Sequence, residues 1–383
     1  MNINYLNIVL RDMEEKDIAD EIRWHTTETE WALWDAPWEM EEALRSFDRA
    51  KHRAEELEWL AREKPDHRLS FEIDTWEGVH IGSVNSYRID ENYDWQKLTG
   101  EEDRTKVRWA LGIEINESSF WSSGWGTQAL TALVKYHLAA GYEELYTQTW
   151  SGNERMIRLA EKLGFRECCR KRDLRLVRGE RYDGLTFRLD RAAFHAHCRR
   201  LEKDSVELYI PRVEDMWFTQ RMQTDPATMA YNAGWDVDFD GYHPDTGCID
   251  FPPEKWEEKH RRLVGREPEQ FYAFVRDKRT GAFLGEVNHH DAGGSHEIGV
   301  VLYAPCRGRG YGLAALELLL ERAFLVDKVD ALTNTFEPDR DPGLAIHEKA
   351  GFRVVGEDSM VRFGKDTRLL VLELTRREYL KKQ

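Results

Sequence analysis

The chain has 383 residues, 41% of them hydrophobic and 33% charged, with a formal net charge of −16. No apolar run approaches the roughly 20 residues a membrane span needs, and so acidic a chain lacks the basic footprint of a nucleic-acid surface. Five cysteines (Cys168, Cys169, Cys198, Cys248 and Cys306) without CxxC spacing suggest neither a disulfide framework nor a zinc site, and the opening residues do not read as a secretory signal, so a cytoplasmic protein is expected.

In chain order, Ile8 to Met13 reads as an entry strand, followed by an acidic helix start at Glu14 to Asp17. Between Met40 and Lys64, Leu44, Phe47, Ala50, Ala54, Leu57 and Leu60 recur at intervals of three and four, which predicts one amphipathic helix stopped by Pro65. Leu69 to Thr75 and Val79 to Tyr87 flank Trp76-Glu77-Gly78 as a hairpin, and Val107 to Ile115 runs into a glycine turn at Gly124 and Gly126. A helix over 127–140, a strand over 144–150, a helix over 153–163 and a hairpin around Arg178-Gly179-Glu180 follow.

The order then repeats. Val206 to Arg212 is a second entry strand, and Pro253 to Val264 reads as helix. Phe271 to Arg276 and Phe283 to His290 form a hairpin, and His296 to Tyr303 leads to a second glycine turn at Gly310 and Gly312, 186 positions after the first. A helix over 313–324, a strand over 330–336, a helix over 343–350 and a strand over 369–374 close the half. Two domains are expected, 1–202 and 203–383, because a fresh strand begins just after the polar, helix-prone stretch 190–203.

Both turns suit an anion: glycines let the backbone approach it, and the following helix offers N–H groups and the positive end of its dipole. A Walker loop would need a lysine that neither turn has. Gly124-x-Gly126-x-x-Ala129 formally fits a dinucleotide fingerprint, but the loop after Ile115 is too long and the turn comes late, after antiparallel hairpins.

Arg307, Gly310 and Gly312 match the pyrophosphate loop of the GNAT family of N-acetyltransferases, and Gly124 and Gly126 match it with Trp121 in the Arg/Gln place. Asn153 to Phe165, NERMIRLAEKLGF, resembles the fourth-helix signature of the ribosomal-protein-acetyltransferase branch, echoed by Ala345 to Phe352. The resemblance covers nearly the whole chain. It implies an α/β fold of two tandem GNAT domains, each a mixed sheet splayed at its fourth and fifth strands around the pantetheine arm of acetyl-CoA. Carried over onto this chain, the cofactor positions are Ile115, Asn116, Glu117, Trp121, Gly124, Trp125, Gly126, Thr127 and Asn153 in the first copy. In the second they are Val301, Leu302, Tyr303, Arg307, Gly308, Arg309, Gly310, Tyr311 and Gly312. With Ser122 and Ser123 facing Arg307 and Arg309, the second copy is expected to grip the pyrophosphate more strongly.

Acetyl transfer to an amine needs a base and a proton for the leaving thiolate. At the position where the family often places a tyrosine acid stand Ala160 and His347, and where some members carry a base glutamate stand Gln148 and Asn334. That leaves His347 as candidate acid and Glu297 as candidate carboxylate. The acceptor segments are acidic and aromatic, with Trp31, Trp34, Asp35 and Trp38 in the first copy and Tyr231, Asn232, Trp235, Asp236 and Asp238 in the second, which suits a cationic amine. His289, His290, Asp291 and His296 invite a metal reading, but adjacent strand residues face opposite ways, so no metal is expected.

The expected activity is acetyl transfer from acetyl-CoA to a primary amine of a small molecule or peptide. The alternative is a CoA-binding regulatory protein without turnover in one or both halves. Neither a nucleic-acid nor a membrane partner is expected, and the assembly would be a monomeric pseudo-dimer or a homodimer.

Overall fold

The computed structural model describes residues 1–97, 105–237, 239–339 and 341–382; Asp238, one of the acceptor-side carboxylates, lies outside them. The chain divides into two compact units, 1–199 and 200–383.

The first unit contains strands β1 (Asn2–Tyr5), β2 (Ile8–Arg11), β3 (Ser70–Thr75), β4 (His80–Ile89), β5 (Trp95–Gln96), β6 (Arg108–Ile115), β7 (Glu144–Trp150), β8 (Phe165–Val177) and β9 (Glu180–Leu189). Its helices are α1 (Asp17–Thr26), α2 (Pro37–Arg45), α3 (Arg49–Leu60), α4 (Trp125–Ala139) and α5 (Glu154–Lys162), and α6 (Arg191–Asp204) contains the division between units. The strand order is β1-β2-β3-β4-β6-β7-β9-β8, with β5 on β4. The second unit has β10 (Val206–Tyr209), α7 (Trp217–Gln223), α8 (Pro226–Met229), α9 (Trp256–Leu263), β11 (Gln270–Asp277), β12 (Phe283–Asp291), β13 (His296–Leu302), α10 (Tyr311–Glu321), β14 (Ala331–Phe336), α11 (Asp341–Ala350), β15 (Arg353–Arg362), β16 (Lys365–Thr375) and α12 (Arg376–Leu380). Its sheet runs β10-β11-β12-β13-β14-β16-β15.

Each sheet holds one parallel pair, which needs a helical crossover. In the first unit α4 supplies it, burying Ala129, Leu130, Ala132, Leu133 and Val134 in the core. β6 and β7 pair only at Arg108/Glu144, Trp109/Leu145 and Ala110/Tyr146, then run on to Ile115 and Trp150 apart. β13 and β14 pair only at His296/Leu332 and Glu297/Thr333.

Two expectations change. The single helix predicted between Met40 and Lys64 is two, because the Asp48 carboxylate accepts from the N–H groups of Ala50 (2.9 Å) and Lys51 (3.1 Å) and so caps a new start. β15 is a full strand that the residue pattern hides: it is an exposed edge, so no face needed an apolar alternation. The edge strands β8 and β15 both carry register shifts, at Glu167/Cys169 and Lys171/Arg175 and at Val354/Gly356.

An ionic knot fastens the first unit's entry. Arg11 on β2 donates to both carboxylate oxygens of Asp17 (2.6 and 2.8 Å) and of Asp74 (2.6 and 2.8 Å), joining β2, α1 and β3. Burial alone would raise the Asp17 pKa, but the bonds from Arg11 and the Glu14 N–H outweigh it and hold Asp17 below the usual carboxylate range. A depressed folded-state pKa contributes stability above the unfolded value that is lost as pH falls through the folded one. Asp17→Asn is expected to cost about 3–5 kcal/mol in urea unfolding at pH 7. The gap to the parent should narrow below about pH 4; a gap unchanged down to pH 3 would contradict this role.

Candidate active site

The two glycine turns share one geometry. Gly124 (φ +88°) and Gly310 (φ +95°) are left-handed residues capping α4 and α10, a conformation that a Cβ disfavours. Two residues earlier the second copy has Gly308 at φ +73°, whereas the first has Ser122 at φ +58°. Gly126 and Gly312 are less demanding: a Cβ there would meet nothing closer than 3.6 and 3.7 Å.

The strand ends correct an alignment. Gly82 faces Ile115 as Gly285 faces Leu302, and Asn85 faces Gly112 as Asn288 faces Gly299. The copies are therefore offset by 187 on these strands but 186 at the turns, with one extra residue in the first copy's connection. Ile115 and Asn116 correspond to Leu302 and Tyr303, and Val301 corresponds to Glu114 rather than to Ile115. The same shift on the fifth strand (Trp109/Leu145 against His296/Leu332) sets Thr335, not Asn334, opposite Gln148.

The residue at the loop's Arg/Gln position does the same job in both copies by different chemistry. Trp121 Nε1 donates to the Ile115 carbonyl at 2.6 Å, and Arg307 Nε donates to the Leu302 carbonyl at 3.0 Å. The rest of the Arg307 guanidinium donates to the Ala227 (2.9 Å) and Thr228 (2.8 Å) carbonyls. Arg309 is 2% exposed, beside Tyr311, Cys306 and Asp277, and the buried Tyr311 hydroxyl donates to Asp277. The two arginines expected to strengthen the second cradle thus have structural work.

A cavity of about 820 Å³ opens in the first unit at the splay. Gly124, Gly126, Thr127 and Trp121 line one end with Asn153, whose side chain caps α5 through Met156 N–H (3.0 Å) and donates to the Trp34 carbonyl (2.7 Å). Arg155, Arg158 and Lys162 also line it, spaced along one face of α5. Arg158 pairs with Glu154, and Lys162 Nζ donates to Thr127 Oγ1 in the first turn of α4 at 3.4 Å. Trp125 is buried against Phe120. Glu117 is turned away: it takes Arg23 (2.5 Å) and Trp24 Nε1 (2.9 Å), and those bonds overcome burial to lower its pKa.

Asp35, which is exposed, and the partly buried Tyr87, Glu114 and Gln148 also line the cavity. Desolvation, then the charge of Asp35, pushes Glu114 up to about 8. Asp35 is itself raised, by desolvation among the cavity walls and by Glu39. Desolvation and Asp35 also keep the Tyr87 phenol neutral, and its hydroxyl donates to Gln148 Oε1 at 3.1 Å. Glu114 escaped sequence reasoning: it alternates with Gly112 on β6, and a lone carboxylate on a strand reads as solvent-facing until the neighbouring strand is seen to leave it.

The expected catalytic residues are placed elsewhere. Glu297 lies at the last paired position of β13, half exposed and 3.8 Å from His290, before the strands part. His347 is 1% exposed; its Nδ1–H bonds the Gly343 carbonyl (2.8 Å), its Nε2 meets the Asn334 amide (3.1 Å), and burial lowers its pKa to about 4. Neither nitrogen is left to protonate a thiolate. His289 is buried between His296 (3.0 Å) and Asp327 (2.9 Å), while His290 is exposed.

On the acceptor side, Trp31 is 6% exposed and donates to the Trp24 carbonyl (2.9 Å) at the cavity's edge. The face of Trp34 carries Arg155, and that of Trp38 carries Arg175. In the second unit Tyr231, Asn232 and Trp235 form a self-bonded loop: Trp235 Nε1 donates to the Tyr231 carbonyl, and Asn232 bonds Gly247 and Tyr242. Arg362 lies over Trp235.

A parallel pair splayed beside a glycine-capped crossover helix, present twice, defines the class: two mixed-sheet α/β units in tandem, each with a glycine turn at the mouth of its splay. The chain belongs to the acetyltransferase (GNAT) domain family, whose model matches residues 7–166 and again 207–353. Among solved structures it is similar to a spermidine N-acetyltransferase from Vibrio cholerae in complex with CoA and spermine (14% identity, 46% of this chain and 99% of that chain, TM-score 0.39). It is also similar to an acetyltransferase of the family from Bacillus anthracis (17% identity, 45% of this chain and 96% of that one, TM-score 0.37). No curated protein matches the chain, and no helix among the described residues is long and apolar enough to cross a membrane.

Because Ser122 holds a backbone conformation that its counterpart Gly308 adopts freely, Ser122→Gly should stabilise the first unit by about 1 kcal/mol, read as a rise in urea midpoint. A loss of stability would show that the hydroxyl contributes more than the strain costs.

Proposed function

We propose that the first unit transfers the acetyl group of acetyl-CoA to an amine of a small molecule or peptide, and that the second unit is a copy without turnover. One observation carries both halves of this reading. Glu114 faces the cavity at the splay with a pKa near 8, and the second unit has Val301 at the equivalent strand position.

The cradle residues fit the cofactor. The first turn of α4 offers N–H groups and a positive dipole end to a pyrophosphate, and Arg155, Arg158 and Lys162 add positive charge beside it. Bound acetyl-CoA supplies a thioester already activated towards an amine. The chain's own residues orient and deprotonate the acceptor: Asp35 attracts the ammonium form, and Glu114 takes its proton so that the nitrogen lone pair is free. Tyr87, a neutral phenol in the same cavity, is the candidate donor to the departing sulfur, which requires it to exchange its bond to Gln148 Oε1 for the sulfur. Trp31 borders the acceptor space, and the carboxylates of Asp35 and Glu114 are the groups there that would attract a cationic acceptor.

Incubation with acetyl-CoA and a panel of amines, with detection of released thiol, tests the reading. Glu114→Gln should lower kcat/KM by about 10²–10⁴-fold. In the parent, kcat/KM should rise with pH through about 8, where Glu114 loses its proton. Asp35→Asn removes a like charge and should move that limb to lower pH. A Gln variant with the parental rate and pH limb would rule out Glu114 as the base, and CoA binding without thiol release from any amine would favour a binding protein.

A further inference from the structure

Arg155 stands in an unusual place for a cation in so acidic a chain. It lines the cavity yet pairs with no carboxylate among the described residues. Its guanidinium carbon lies 4.3 Å from the ring centre of Trp34 and 4.3 Å from that of Trp121, in contact with two indoles at once. Ring contacts occupy the faces of a guanidinium and leave its in-plane N–H groups for an anion.

The two indoles belong to different parts of the site. Trp121 is fixed to the end of β6 by its bond to the Ile115 carbonyl, beside the glycine cradle. Trp34 lies in the acceptor segment next to Asp35, and its carbonyl takes bonds from Trp150 Nε1 (2.9 Å) and Asn153 Nδ2 (2.7 Å). The second unit ties the same two regions with a guanidinium of other origin: Arg307, at the Trp121 position, bonds the Leu302 carbonyl and reaches the acceptor-side carbonyls of Ala227 and Thr228. There Pro342 occupies the position matching Arg155, so no second arginine is needed or present at that point of the helix.

We infer that Arg155 is a positioning residue that couples the two substrate sites of the first unit: an anion in the cradle fixes the guanidinium, the guanidinium fixes Trp34, and Trp34 sets Asp35 against the splay. This rests on the acetyl-CoA reading above. The acceptor segment is thereby completed by the donor, and linkage requires a bound acceptor to tighten the donor by the same factor.

Hydrogen exchange of the amides in 31–35, with calorimetry of CoA binding, tests the coupling in the full chain. In the parent, saturating CoA should slow exchange in this segment at least about tenfold, the scale of ordinary allosteric couplings. In Arg155→Met the segment should exchange faster without ligand, and CoA should no longer slow it. Trp34→Leu removes one face of the tie without touching the cradle; it should bind CoA and still lose the slowing, which decides the matter if Arg155→Met loses CoA binding altogether. Slowing of equal size in parent and Trp34→Leu, or none in a parent that binds CoA, overturns the coupling and leaves the acetyl-CoA reading standing. A parent that binds no CoA overturns both.

Discussion

Two parallel strands that pair for three residues and then separate leave peptide groups that must find partners elsewhere. The loop side chain takes the carbonyl at the strand's end, and the glycine-capped helix aims its first turn at the mouth of the gap. The cavity exists because the strands part, and the glycine turn sits where it does because the crossover helix of a parallel pair must start beside that opening.

The duplicated units show which parts of this solution are backbone and which are side chain. Both keep left-handed glycine caps, the short parallel pairing and a donor to the terminal strand carbonyl. The donor itself differs, an indole in the first unit and a guanidinium in the second, and so does the residue at the splay, Glu114 in the first and Val301 in the second. Geometry was retained where the main chain needs it, while the charges of the two sites went separate ways. Arg307 bonds the protein's own carbonyls and Arg309 is buried, whereas in the first unit basic side chains of α5 line the cavity.

Most of the architecture was legible because it rests on patterns of one or two residues. Glycine before an aliphatic helix, the Trp76-Glu77-Gly78 turn and the NERMIRLAEKLGF helix each announce a local structure. What was hidden depends on long-range register. Glu114 becomes notable only once β7 leaves β6, and the extra residue before Trp121 shows only when both strands are seen against their antiparallel neighbours. His347 looked like an acid because its helix position was right, but its partners, Gly343 and Asn334, come from the fold. The tryptophans of the acceptor segments looked free for a ligand, and the chain's own arginines had already taken three of them, Trp34, Trp38 and Trp235.

The bulged outer strands have a further consequence. β8 and β15 are long outer strands, β15 bridged near its end by Trp235, and an unbroken edge of that kind is a template for another strand. Their register breaks interrupt the row of backbone donors and acceptors, and Arg170, Lys171, Arg172, Glu357 and Asp358 place charges along it. A polypeptide carrying two such sheets in tandem faces the hazard of one copy's edge capturing the other's during folding. The kinks make each border a poor host for its sibling.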